Sequence, residues 1–282
     1  RTPSSLRDFL FVDNFARTPQ AYRLRKKLHG MGHTVMKNTV ELHARAPQPL
    51  VIAHRGARGH APENTLTSAE LGHSVGADLW ELDYKLVVVH DDTLVRTTNV
   101  EEVYPGRSSY RVCDFTLEEL SRLDAGSWYE GRDQFGRVLA GEISAERLAS
   151  FKGLRIPTLE EALLLTKRFD WYVNVEIKNH KHLIGHDIVT KDVLEMIRRL
   201  DMVDQVIISS FQHRYLEECH VLCPEIATGA LVETTRPEDP VALCRNLGVN
   251  AYHPDRLILA PGDLENLRDA GFAVNVWTVN DM

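Results

Sequence analysis

Residues 171–211 contain "WYVNVEIK" (171–178), "DIVTKDVLEMIRRL" (187–200) and "DQVIISSF" (204–211). The outer two runs are apolar on both faces, as strands covered on both sides must be, and the middle run has helical character. Strand, helix and strand with short connections predict parallel strands joined by a crossover helix. The unit recurs in both directions. Upstream, "PLVIAH" (49–54) leads into "NTLTSAELGHSVGA" (64–77), a predicted helix with Asn64 or Thr65 near its cap and Gly76 near its stop. "DLWELDY" (78–84) and "KLVVVHDD" (85–92) read as strands, and "TLEEALLLTKRF" (158–169) as a helix. Downstream, helices at 213–223, 240–248 and 260–271 alternate with strands at 227–232, 249–254 and 272–280. Seven or eight strands in this rhythm favour an α/β fold of the (β/α)8 TIM-barrel kind over an open sheet, and 282 residues suit one such domain.

The barrel is placed at residues 50–282. Residues of about 96–156, rich in Arg, Gly, Ser and Glu, break the rhythm and read as an insertion with helices at "TLEELSRL" (116–123) and "SAERLASF" (144–151). Residues 1–49 read as a helical N-terminal extension. Their basic stretch "TPQAYRLRKKLHGMGHTVMKNTVELHAR" (18–45) is compatible with a helical cap on the barrel, a peripheral membrane or partner helix, or a linker.

An apolar fraction of 43% and a charged fraction of 26% are ordinary for a globular chain. The net charge of −7 argues against general nucleic-acid binding, yet a local cationic pocket for a small anion is compatible with it. No apolar run reaches the roughly 18 residues a membrane helix needs. Asp8 and Asp13 interrupt the N-terminal apolar run, which is no secretory signal, so a cytoplasmic protein is expected. Cys113, Cys219, Cys223 and Cys244 show no Cys-x-x-Cys spacing and read as free thiols. Nothing in the composition speaks to oligomeric state.

The chemistry is read at the strand ends. His54 and Arg55 close the first strand, Glu81 and Asp83 lie on the second, His90 and Asp91 follow, and Glu176 and Lys178 end "WYVNVEIK". In a barrel such ends share one rim. Residues two apart on a strand share a face, so Glu81 pairs with Asp83 and Glu176 with Lys178. Three carboxylates repel one another unless a cation neutralises them, and an oxygen-only ligand set suits one hard divalent ion, Mg2+ or Ca2+. Arg55 and Lys178 supply charge for an anion. Two imidazoles supply a general base and a general acid. Together they describe phosphodiester cleavage better than acyl or hydride transfer.

The chain resembles the glycerophosphodiester phosphodiesterases. The resemblance rests on "HRG" (54–56), "PENT" (62–65), "GADLWELD" (76–83), "VVVHDDTLVRTT" (87–98), "DFTLEELSRLDAGSW" (114–128), "IPTLEEAL" (156–163), "VEIK" (175–178) and "VWTVND" (276–281). It implies a TIM barrel with a small insertion and a divalent metal on Glu81, Asp83 and Glu176. It also implies His54 and His90 as the acid/base pair, and Arg55 and Lys178 on the phosphate. The implied reaction converts a small-molecule glycerophosphodiester to glycerol 3-phosphate and an alcohol. Phe211 and Trp277 belong either to the substrate pocket or to the core.

Other readings keep the barrel. One is a lysophospholipase D or sphingomyelinase D-like phospholipase, with Trp128, Tyr129 and Phe135 of the insertion as a lid. The other is a catalytically inactive binding barrel, against which the intact His54, His90 and carboxylates speak. His180, His182 and His186 read as a solvated loop, and Cys219 and Cys223 as core packing.

The family resembled has several more residues between the Glu-x-Asp and His-Asp strands, with a hairpin turn that would set Asp83 opposite His90. The expectation is that this hairpin tip, and a final barrel strand after "VWTVND", lie outside the 282 residues.

Overall fold

The computed structural model describes residues 8–12, 50–181, 183 and 185–280. Among the described residues nine strands form one sheet: β1 (Asp8–Val12), β2 (Leu50–Ala53), β3 (Leu79–Lys85), β4 (Val87–Val88), β5 (Val173–Ile177), β6 (Val206–Ser210), β7 (Ala227–Val232), β8 (Ala251–Pro254) and β9 (Ala273–Val276). All but β4 pair in parallel, and the pairings run round a closed ring, β1–β2–β3–β5–β6–β7–β8–β9 and back to β1. The (β/α)8 barrel is thus the fold.

Two expectations are corrected here. Residues 8–12, within the stretch read as a helical extension, form β1 between β9 and β2, with Phe9 beside Leu50 and beside Asn275. Among the described residues the ring closes through β1. The rest of residues 1–49 and His182 lie outside the described residues.

The second correction concerns the turn after Asp83. No longer hairpin tip intervenes: Leu86 alone joins β3 to β4, at a φ of +68°, and Tyr84 pairs with Val88 and Lys85 with Val87. The Val89 N–H donates to the Asp83 carbonyl at 3.0 Å, so Asp83 faces Val89 rather than His90. A one-residue turn fixes that register.

Period-two alternation builds both sides of the wall. Trp80 and Leu82 of β3 and Val173, Val175 and Ile177 of β5 point outward into the main core, against helices Leu159–Arg168 and Val189–Arg199. Each fully buried aliphatic side chain there contributes about 2 kcal/mol. The intervening residues point into the barrel. Ile52, Leu79, Ile207 and Ala227 form its apolar floor. Above them lies a polar layer in which Asn174 donates to Ser209 Oγ at 2.9 Å and Asn275 lies 2.7 Å from His253.

Local caps follow the sequence. Thr65 caps helix Leu66–Ser74, and the pairs Thr116–Glu119 and Thr158–Glu161 form capping boxes. Cys219, Cys223 and Cys244 are buried in the main core. Among the described residues no helix is long and apolar enough to cross a membrane.

Candidate active site

The inward face of β3 carries Leu79, Glu81, Asp83 and Lys85 in succession from floor to rim. On the neighbouring strand Asp83 stands beside Glu176, and Glu81 beside Asn174. This register, rather than any loop, brings the three carboxylates together: ligand oxygens of Glu81, Asp83 and Glu176 lie within 4.8 Å of one another, all buried. Oε1 of Glu81 and Oδ1 of Asp83 are buried and accept no hydrogen bond. Orphaned buried oxygens converging on one point fit an oxygen-coordinated hard cation.

The electrostatics follow. Burial pushes the Glu81 carboxyl well above its ordinary range, reinforced by Asp83 and Glu176. Burial likewise raises Glu176 to about 7, against the pull of Lys178. Asp83 goes the other way. Arg55 and Lys178 outweigh its burial and hold it well below the ordinary range. Its Oδ2 accepts from Asn64 Nδ2 at 2.8 Å and lies 3.1 Å from Arg55 Nε. Lys178 Nζ lies 2.6 Å from Glu176 Oε1 and 3.4 Å from Asp83 Oδ1. Burial opposes its charge, but Asp83 and Glu176 prevail and keep it protonated.

His54 follows β2. Its Nε2 is 3.8 Å from Glu81 Oε2 and its Nδ1 is 3.4 Å from Thr278 Oγ1. Arg55 sits in the left-handed region at φ +54°, and Gly56 follows at φ +77°. This kink lets the Arg55 N–H donate to Glu81 Oε2 at 2.8 Å while its side chain reaches Glu63 at 2.9 Å. A Cβ on Gly56 would fall 2.2 Å from Ser68 Oγ and 2.6 Å from the Ser68 backbone. Gly56→Ala is therefore expected to cost on the order of 2 kcal/mol or more, seen as a lowered urea midpoint.

His90 is held from behind. Its Nδ1 lies 2.7 Å from Asp91 Oδ1, and a carboxylate can only accept, so Nδ1 carries the proton and Nε2 is the nitrogen that exchanges one. Arg96 grips Asp91 through Nε and Glu63 through Nη2 at 2.7 Å. Burial works against ionisation of Asp91 and Glu63. Their partners outweigh it, holding Asp91 far below its usual range and Glu63 at about 2. One continuous chain, Asp83–Arg55–Glu63–Arg96–Asp91–His90, thus links the carboxylate cluster to the second imidazole.

Eight of the nine residues singled out in the sequence line one cavity of 520 Å³: His54, Arg55, Glu81, His90, Glu176, Lys178, Phe211 and Trp277. Asp83 is fully buried beside Glu81. Phe211 and Trp277 meet edge to face at 5.7 Å. Arg58, a cation that sequence reading passed over, lines the same cavity and stacks on Phe135 of the insertion at 5.2 Å. Tyr129 is buried with Ala61, Ile143 and Phe151, and Trp128 and Leu71 pack against that cluster, so these two aromatics pack the insertion onto the loop and helix after β2. His180 is no solvated residue either: it is 1% exposed and its N–H donates to the Tyr215 hydroxyl at 3.1 Å.

A parallel barrel with its ionisable groups gathered at the C-terminal rim has the architecture of a barrel enzyme. The chain belongs to the glycerophosphoryl diester phosphodiesterase family, whose model matches residues 54–282. A glycerophosphodiester phosphodiesterase of Caldanaerobacter subterraneus is 33% identical over 237 residues, 82% of this chain and 86% of that protein. One from Bacillus subtilis is 31% identical over 253 residues, 82% of this chain and 77% of the relative. Among solved structures, an Oleispira antarctica phosphodiesterase in complex with the product sn-glycerol-3-phosphate superposes with a TM-score of 0.67 at 28% identity, covering 83% and 85% of the two chains. A glycerophosphodiester phosphodiesterase from Agrobacterium tumefaciens gives a TM-score of 0.61 at 26% identity, covering 82% and 87%.

Proposed function

We propose that this chain hydrolyses small glycerophosphodiesters to sn-glycerol 3-phosphate and an alcohol, with His54 and His90 as the acid/base pair. The observation that carries the reading is the juxtaposition of two imidazoles and two paired cations around three converging buried carboxylates. Glu81, Asp83 and Glu176 would hold one divalent cation, Mg2+ or Ca2+, which when bound offsets charge on the phosphoryl oxygens. Lys178 and Arg55 hold the phosphate from the rim, and Phe211 and Trp277 flank the glycerol carbons.

The attacking oxygen belongs to water, which gives glycerol 3-phosphate directly, or to the glycerol 2-hydroxyl, which gives a cyclic phosphate that water must then open, by the same acid/base exchange, to glycerol 3-phosphate. As the attacking oxygen bonds to phosphorus, one histidine takes its proton. The bond from phosphorus to the second alcohol breaks, and the other histidine protonates the departing oxygen. Asp91 holds the His90 ring in place by accepting from Nδ1, which leaves Nε2 facing the reaction.

The test is a product assay on glycerophosphodiesters and lysophospholipids. Release of glycerol 3-phosphate from glycerophosphodiesters is the expected outcome. Lysophosphatidic or cyclic phosphate as the main product would replace this reading with the phospholipase one.

A further inference from the structure

A second cavity of 340 Å³ opens beside the first, and Glu176, Lys178, Phe211 and Glu233 belong to both linings. A phosphodiester gripped at Lys178 can therefore extend one alcohol into each. We propose that this second lobe seats the alcohol on the far side of the phosphate and selects one carrying a negative charge of its own. The inference rests on the phosphodiesterase reading and names the substrate class it takes.

The lobe owes its key residue to the short turn. Because Leu86 alone reverses the chain, Lys85 ends β3 two residues past Asp83 and on the same face. Lys85 is only 7% exposed. Its ammonium pairs with Asp92, whose side chain is 71% exposed. The cation is thus fixed in the wall, while its counter-ion stands on the solvent side. An exposed partner contributes little, so a ligand anion can replace it. Lys178 on the shared wall adds a second, half-buried cation, and Arg111 a third, exposed, at the outer edge. Asn179 and Gln212 offer further donors.

The lobe also carries Asp92, Glu176 and Glu233, but Asp92 pairs with Lys85, Glu176 with Lys178, and Glu233 is exposed, so a quaternary ammonium must rely on aromatic faces. Such groups need several aromatic faces. The lobe has one aromatic ring, Phe211, and the Lys178 ammonium already lies 5.9 Å from its centre.

The test compares three substrates differing only in the second alcohol: glycerophosphocholine, glycerophosphoglycerol, and glycerophosphoglycerol with a terminal phosphate. Wild-type kcat/KM is expected to favour the terminal phosphate over choline by about tenfold or more, the scale of one charge-assisted hydrogen bond. Lys85→Met should collapse that ratio, and the exposed Arg111→Gln should reduce it without risk to folding. Equal kcat/KM for all three in wild type, or a ratio unchanged in both variants, would overturn the assignment. Should none be hydrolysed, the reaction reading fails. The lobe is then judged by calorimetric binding of the phosphate-terminated compound: tighter binding by wild type than by Lys85→Met upholds it, and equal binding overturns it.

Discussion

His54→Ala and His90→Ala are each expected to lower glycerophosphodiester hydrolysis by about 10³-fold, the scale of one lost proton-transfer group, and to leave the protein folded. Neither ring belongs to a hydrophobic core cluster, and both line the cavity, so truncation removes chemistry before it removes packing. The two variants differ in what they leave behind. His54→Ala removes a ring that lies against Glu81 and Thr278. His90→Ala leaves Asp91 still gripped by Arg96, so the Asp83-to-Asp91 chain survives and the loss reports on the imidazole itself. Steady-state rates on glycerophosphocholine, read beside thermal melts, check both. A variant melting like wild type and turning over at the wild-type rate would remove that histidine from the acid/base pair.

The parts of this site legible in the sequence are those that period-two alternation controls. Glu81 with Asp83, and Glu176 with Lys178, share faces because strand geometry leaves no choice, and the parallel register then sets Asp83 beside Glu176. The same rule reaches Lys85, since β3 runs one residue past Tyr84. The link from Glu63 to Arg96 spans 33 residues and depends on how the loops after β2 and β4 settle, which no local pattern encodes. Arg58 left a faint signal, a cation three residues past Arg55 in a Gly-containing loop. The position of Asp83 opposite Val89 was set by turn length, not by strand composition. The closing strand Asp8–Val12 is an apolar run like any other. What hid its place was the long stretch of chain separating it from β2, since ring closure is a property of the whole barrel.

Chelation with EDTA is expected to abolish activity, and Mg2+ or Ca2+ to restore it, because the carboxylate cluster is assembled at a cost that a cation would offset. The pH dependence of stability tests this without any substrate. Burial with like charge nearby raises Glu81, and burial raises Glu176 to about 7. A carboxyl whose folded pKa lies above its unfolded value binds more protons in the folded state across the interval between them. Metal-free stability is therefore full below the unfolded value and falls as pH rises toward 7, by on the order of 3 kcal/mol for Glu176 alone. Asp83 has the opposite sign. Its depressed pKa contributes stability above its ordinary value of 3.8 that is lost only in stronger acid, outside this window. A divalent cation binds the ionised cluster, so it should raise the melting temperature strongly at pH 7 and little near pH 5. Glu176→Gln should flatten the metal-free slope, since the neutral amide has no charge to desolvate. A chelated enzyme with full activity, and a melting temperature indifferent to both pH and added cation, would leave the three carboxylates without a metal to hold.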